Sequence, residues 1–163
     1  MIFHIFGGKM SGKTSAAKQL NTEEFLHWDI VEDFYKPEGI IDKENKMNWT
    51  LWRDKEELIA TKLNELIENN KDKHIVIEST GINTMINKTL KTYGITPVNM
   101  GVPNAEDTVN RCTECGFDIE VGYDLNKKIV VRFWDLDNYL PKVRTIDGAV
   151  KFIVQTSRGE SKE

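Results

Sequence analysis

Gly7-Gly8-Lys9-Met10-Ser11-Gly12-Lys13-Thr14 is the stretch from which the rest of this chain is read. It matches G-x-x-x-x-G-K-[ST] in full, the pattern of a phosphate-binding loop, or P-loop. Glycines let backbone N–H groups converge on phosphate oxygens, and a helix that begins beside them turns its positive end toward the same anion. Lys13 would bring a cation to the β- and γ-phosphates, and the Thr14 hydroxyl suits Mg²⁺. The expected nucleotide contacts are therefore Gly7, Gly8, Lys9, Met10, Ser11, Gly12, Lys13 and Thr14, with Ser15 just beyond. A glycine turn between strand and helix would be the bland alternative. The completeness of the match favours ATP or a close relative.

The flanks agree with the motif. Ile2-Phe3-His4-Ile5-Phe6 is a short apolar run stopping at a glycine pair, as a buried strand does. Residues 13–20 are good helix formers. Phe25 to Val31 reads as a second strand, with Asp29 near its end. Asp54 with Glu57 resembles a capping box, and Leu58, Ile59, Leu63, Leu66 and Ile67 recur at helical spacing, which predicts an amphipathic helix over 55–69. His74-Ile75-Val76-Ile77 is a strand covered on both faces. A helix over 84–93 closes at Gly94, Val98–Val102 is a strand, and Asn104 with Asp107 opens a helix toward Arg111. That alternation implies an α/β fold, a three-layer sandwich around a central parallel sheet.

The last third is less regular. Asp118–Tyr123 and Lys128–Trp134 flank Leu125-Asn126-Lys127, which predicts a β-hairpin forming a small lid. Lys142–Ile146 is expected to return to the sheet, with 149–155 closing the fold as helix or strand. The expected organisation is one domain over 1–156, with a cap at about 30–54, a lid or hairpin at about 111–135 and a flexible polar tail at 157–163.

Composition narrows the function classes. A formal net charge of −4 argues against a surface devoted wholly to nucleic acid, though not against a local basic channel. No apolar run approaches the roughly 20 residues of a membrane helix, and the N-terminal apolar run is too short for a signal peptide. The expectation is a cytoplasmic protein without a membrane partner. Cys112-Thr113-Glu114-Cys115 is half of a zinc knuckle, whereas tetrahedral zinc needs four ligands. Without a second pair in the chain, only a homodimer sharing the site would complete it, so thiols without zinc are the expectation.

The strand that ends Glu78-Ser79-Thr80-Gly81, followed by a helix and by a strand ending Val102-Pro103, resembles the small P-loop kinases of the zeta-toxin, polynucleotide-kinase and gluconate-kinase group. The likeness covers roughly residues 1–112. It implies a kinase using ATP and Mg²⁺, in which an aspartate after the second strand contacts the acceptor hydroxyl and takes its proton. Asp29 matches by position, with Asp33 as fallback. It implies an acidic residue near the metal or acceptor, which Glu78 matches. It also implies a lid arginine that neutralises the transferring group, which nominates Arg111. The second lid arginine common in that group is absent, Cys115 standing there, and Arg132 or Arg53 would have to supply the charge.

The acceptor is read from the segment between strand two and the amphipathic helix. Trp28, Phe34, Tyr35, Trp49 and Trp52 lie there, interleaved with Lys36 and Lys46. Rings beside cations suit stacking on a base and holding a phosphate, and a hydrophobic satellite core is the competing reading. Tyr35, Trp52, Glu78 and Thr80 join Asp29 as expected acceptor contacts, with Thr14 and Glu78 as metal ligands. The expected function is transfer of the γ-phosphoryl of ATP to a hydroxyl of a nucleoside, nucleotide or nucleic acid. The alternatives are a nucleoside monophosphate kinase, for which the arginines of the first 110 residues are few, and a non-catalytic nucleotide switch.

Overall fold

A computed structural model describes residues 1–159 except 21, 45, 82, 140–142 and 144; of residues 130–139 it describes the backbone alone. Four strands, β1 (Ile2–Phe6), β2 (Phe25–Asp29), β3 (His74–Ser79) and β4 (Thr96–Asn99), form a parallel sheet in the order β2-β3-β1-β4. Parallel pairing demands a crossover between successive strands. Helix α1 (Lys13–Gln19) follows β1, a π-helical turn (Ile30–Tyr35) with α2 (Trp49–Asp54) and α3 (Glu56–Glu68) follows β2, and α4 (Thr84–Lys91) follows β3. After β4 come α5 (Ala105–Cys115), α6 (Ile119–Tyr139) and α7 (Ile146–Ser157).

Strand periodicity divides the core in two. Phe3, Ile5, Phe25, Val76 and Val98 face α1 and α7, meeting Ala16, Ala17, Ala149 and Ile153. The small alanines let α1 lie close to the sheet directly after the loop. Ile75, Ile77 and Trp28 face the other way, onto Ile59, Leu63 and Ile67 of α3 and Ile86 and Leu90 of α4. Burying each such side chain stabilises the fold by about 1.5–3 kcal/mol. The expected three-layer architecture stands.

Several boundaries moved, each for a local reason. β2 stops at Asp29 because its Oδ1 accepts the N–H of Val31 at 2.8 Å, which starts the π-helical turn. β4 covers Thr96–Asn99 rather than Val98–Val102, since Asn99 Oδ1 accepts the N–H of Gly101 and bends the chain out of the sheet. Asp54 does not open the amphipathic helix. Asn48 caps α2 through the Leu51 N–H, so Asp54 ends that helix, and α3 begins beyond Lys55.

The largest correction concerns 118–134. There is no hairpin: residues 119–139 form the single helix α6, with Asp118 Oδ1 accepting the Val121 N–H at its start. Gly122, Leu125, Asn126 and Ile129 are its inward positions, a spacing of three and four that only a helix can present to one side. The expected strand at Lys142–Ile146 lies partly outside the described residues. Val143 does donate its N–H to Asn99 O at 2.7 Å, and Ile146 already belongs to α7. Of the expected tail, Ser157 ends α7, and residues 160–163 lie outside the described residues.

Candidate active site

The C-terminal ends of β1, β2 and β3 open onto one crevice, where an open α/β sheet binds its ligand. The loop 7–14 lies across it. Gly12 takes φ +96°, which a side chain would resist, and a Cβ on Gly7 would lie 2.7 Å from Gly101 O. The Gly8 N–H donates to that same Gly101 carbonyl at 2.9 Å, so one wall of the loop is stitched to the end of β4. The first amides of α1 have no acceptor within the helix, as at any helix start. Ser11 Oγ is buried without a hydrogen-bond partner. A glycine-lined concavity with an orphaned buried hydroxyl and free amide donors fits a bound anion. Lys13 Nζ folds back to donate to Gly8 O at 3.0 Å. Desolvation brings its pKa down to about 8, and neighbouring Lys9 adds to the fall, against the opposing pull of Glu78 and Asp29. Ser15 is exposed on α1.

Beside the loop stand three titratable side chains on one face of the sheet. Asp29 and Glu78 are direct partners in the β2–β3 register, and His27 precedes Asp29 by two residues, which returns it to the same face. Ligand atoms of His27, Asp29 and Glu78 all lie within 4.8 Å of one another. Glu78 is 3% exposed. Its Oε1 accepts the Thr14 hydroxyl, and its Oε2 lies 2.8 Å from His27 Nε2. Burial alone would raise its pKa, yet the bonds from His27 and Thr14 and the charge of Lys13 hold it below the ordinary value. Asp29 goes the other way. Desolvation first, then the charge of Glu78, raise it to about 6 despite the Val31 N–H and His27. Asp33, the fallback candidate, accepts the backbone N–H of Asp29 at 2.8 Å and so braces that residue. Thr14, Asp29 and Glu78 offer hydroxyl and carboxylate oxygens, which fit a divalent cation carried with a nucleotide, and His27 holds the Glu78 carboxylate from the side.

Arg111 reaches the loop from α5, where its Nη1 donates to Met10 O at 2.6 Å. The cap divides. Trp28, Phe34 and Tyr35 are core residues, whereas Trp52 is half-buried and Trp49 is 65% exposed. Trp49 meets Trp52 edge to face. Tyr35 Oη accepts from Trp52 Nε1 at 3.2 Å and from Asn83 Nδ2 at 2.9 Å, which ties the cap to the chain just after β3. Lys36 and Lys46 pair with Glu32 and Glu44 inside the cap. Thr80 is half-buried at the end of β3. Cys112 is buried, packed so that a Cβ on Gly122 would lie 2.7 Å from its sulfur, while Cys115 on the same helix is exposed.

Sequence reading missed two participants. His27 carried a usable signal, its two-residue offset from Asp29 on a strand. Asn126 did not, because its role depends on α6 being a helix. From there Asn126 grips the loop at Lys9, accepting the N–H on Oδ1 at 2.6 Å and donating Nδ2 to the carbonyl at 3.0 Å. The Lys9 N–H, expected to contact phosphate, is thus given to Asn126.

The assembled chain is similar to solved structures. Shikimate kinase from Acinetobacter baumannii in complex with shikimate aligns over 99% of this chain and 95% of its own, with a TM-score of 0.61 at 15% identity. The chain shares that α/β fold, a parallel sheet between helices. Deoxyadenosine kinase from M. mycoides with bound dATP aligns over 97% of this chain and 100% of its own, with a TM-score of 0.50 at 13% identity. Identities this low establish the fold alone. No family model matches the chain, and no curated protein matches it in sequence. Among the described residues, no helix is long and apolar enough to cross a membrane.

Proposed function

We propose that the protein is an ATP-dependent kinase that moves the γ-phosphoryl group onto a hydroxyl, with Asp29 as the base. The observation that carries this reading is the pair Asp29 and Glu78 beside the loop. They are adjacent in register, and their environments drive their protonation apart. Two neighbouring carboxylates separated in this way commonly divide two tasks.

Glu78 stays ionised and tied to Thr14, so these two are the residues that would hold Mg²⁺ through oxygen atoms, while His27 orients the Glu78 carboxylate. A cation held there would supply neutralisation of phosphate charge. Asp29, raised to about 6, is a carboxylate at neutral pH yet basic enough to accept a proton from a hydroxyl oriented against it. Lys13 and the α1 N-terminus draw the phosphates into the loop, and Arg111 stands at the loop's rim. The half-buried Trp52 and the Tyr35–Asn83 contact supply an aromatic, hydrogen-bonding wall for the acceptor. That wall favours a nucleoside, nucleotide or nucleic-acid hydroxyl over a sugar acid. The narrower likeness to the zeta-toxin, polynucleotide-kinase and gluconate-kinase group rests on sequence pattern and belongs to this proposal.

A transfer screen with γ-labelled ATP against nucleosides, nucleoside monophosphates, oligonucleotides and sugars tests it. A labelled phosphoester from one hydroxyl class is expected. A labelled diphosphate from monophosphates would mean a nucleoside monophosphate kinase instead. ATP bound with no transfer to any acceptor would mean a nucleotide switch.

A further inference from the structure

The helix pair α5–α6 touches the nucleotide loop at consecutive residues, and the contacts are specific rather than merely apolar. Asn126, 5% exposed, uses both ends of its amide on Lys9: Oδ1 takes the N–H at 2.6 Å, and Nδ2 gives to the carbonyl at 3.0 Å. Nδ2 also donates to Thr108 Oγ1 on α5 at 3.1 Å, which fixes the amide's orientation. Arg111 holds the next carbonyl, that of Met10. Lys9 Nζ lies 4.3 Å from the centre of the Phe117 ring in the α5–α6 connection. Met10 has φ +66°, the one positive value at a non-glycine among the described residues. Such a conformation costs about 1–3 kcal/mol and persists only where its surroundings impose it. The bare Gly8 is what lets the clamp come this close, since a Cβ there would lie 2.8 Å from Asn126 Oδ1.

We propose that Asn126 is a positioning residue for nucleotide binding. By holding both polar groups of the Lys9 peptide, it keeps the outer half of the loop in its strained, phosphate-ready shape. The inference rests on the nucleotide-binding part of the proposed function and on no particular acceptor. A bidentate grip is the reason an amide is required: an aspartate would turn an oxygen toward the Lys9 carbonyl, and a leucine would leave both half-buried peptide groups without this partner.

The test is the affinity for a fluorescent ATP analogue in the presence of Mg²⁺, measured well below each variant's melting temperature. Asn126→Leu and Asn126→Asp are expected to weaken binding by about tenfold or more, the equivalent of one or two buried hydrogen bonds. Cys112→Ala separates positioning from general loosening. It removes a buried sulfur packed against Gly122 between the two helices and lowers the melting temperature while leaving both Lys9 contacts and the Thr108 contact, so its affinity should stay within about twofold of wild type. Wild-type affinity in Asn126→Leu, or Cys112→Ala losing as much affinity as Asn126→Leu, would overturn the proposal. A wild-type protein that binds no nucleotide would sink the underlying reading, and that is visible before any variant is made.

Discussion

Asp29 and Glu78 share a register position on neighbouring strands, and their different partners have consequences that can be measured. If Asp29 takes the acceptor's proton, the transfer rate rises with pH through about 6 and then levels. Its raised pKa also has a stability sign. Between the ordinary value of 3.8 and about 6, the folded state holds a proton that the unfolded chain has lost, so stability falls as pH rises across that window. Asp29→Asn keeps an oxygen for the Val31 N–H and cannot ionise. It is expected to melt at a higher temperature than wild type at pH 8, with the gap closing below pH 4. His4 behaves oppositely. Buried beside Ser79, with Nε2 2.6 Å from Oγ, it is lowered from 6.5 to about 4 by desolvation. The unfolded chain then binds the extra proton, so stability drops as pH falls from 6.5 toward 4, by at most about 3 kcal/mol. Urea titrations of His4→Phe across that range should lack this slope. Asp29 was named through the resemblance to small P-loop kinases, and Glu78 through that resemblance and its place at the end of an apolar strand; the structure brings the two side by side in register. His4 was readable only as a strand residue, since its contact with Ser79 spans 75 positions.

At the level of elements, legibility followed the strength of the periodic pattern. Helix α3 announced itself, and its buried Ile59, Leu63 and Ile67 are among the residues whose spacing predicted it. Leu63→Ala should therefore lower stability by about 2–5 kcal/mol, seen as a fall in the urea midpoint at unchanged slope. The turns that ended β2 and β4 were invisible, because each depends on a side chain bonding its own backbone two residues on, Asp29 to Val31 and Asn99 to Gly101. Helix α6 was misread for a different reason. Its inward residues include a glycine and an asparagine, so an apolar stripe is broken where Gly122 makes room for Cys112 and Asn126 grips the loop. The polar residue that disguised the helix is the one that joins it to the site.

For the whole molecule, the sheet order β2-β3-β1-β4 places β1 centrally, so the loop that follows it emerges beside the ends of β3 and β4. Nucleotide binding should then stabilise the fold as one unit. At a concentration of ATP about 100 times its Kd, with Mg²⁺, about 2.7 kcal/mol of added stability is expected, read as a raised melting temperature and lost in Lys13→Ala. The fold was legible because one complete motif and alternating elements leave few α/β arrangements. The acceptor was not, because the wall proposed for it, Tyr35 with Trp52 and Asn83, meets only after folding. Asp29 on β2 is proposed to serve phosphoryl transfer to a hydroxyl as the base. A single-turnover measurement with γ-labelled ATP and the acceptor found by screening, comparing wild type with Asp29→Asn, bears on that role without an intervening step. Transfer slowed by about 10²–10⁴-fold at unchanged ATP affinity is expected. Transfer by Asp29→Asn at the wild-type rate would remove Asp29 from the role.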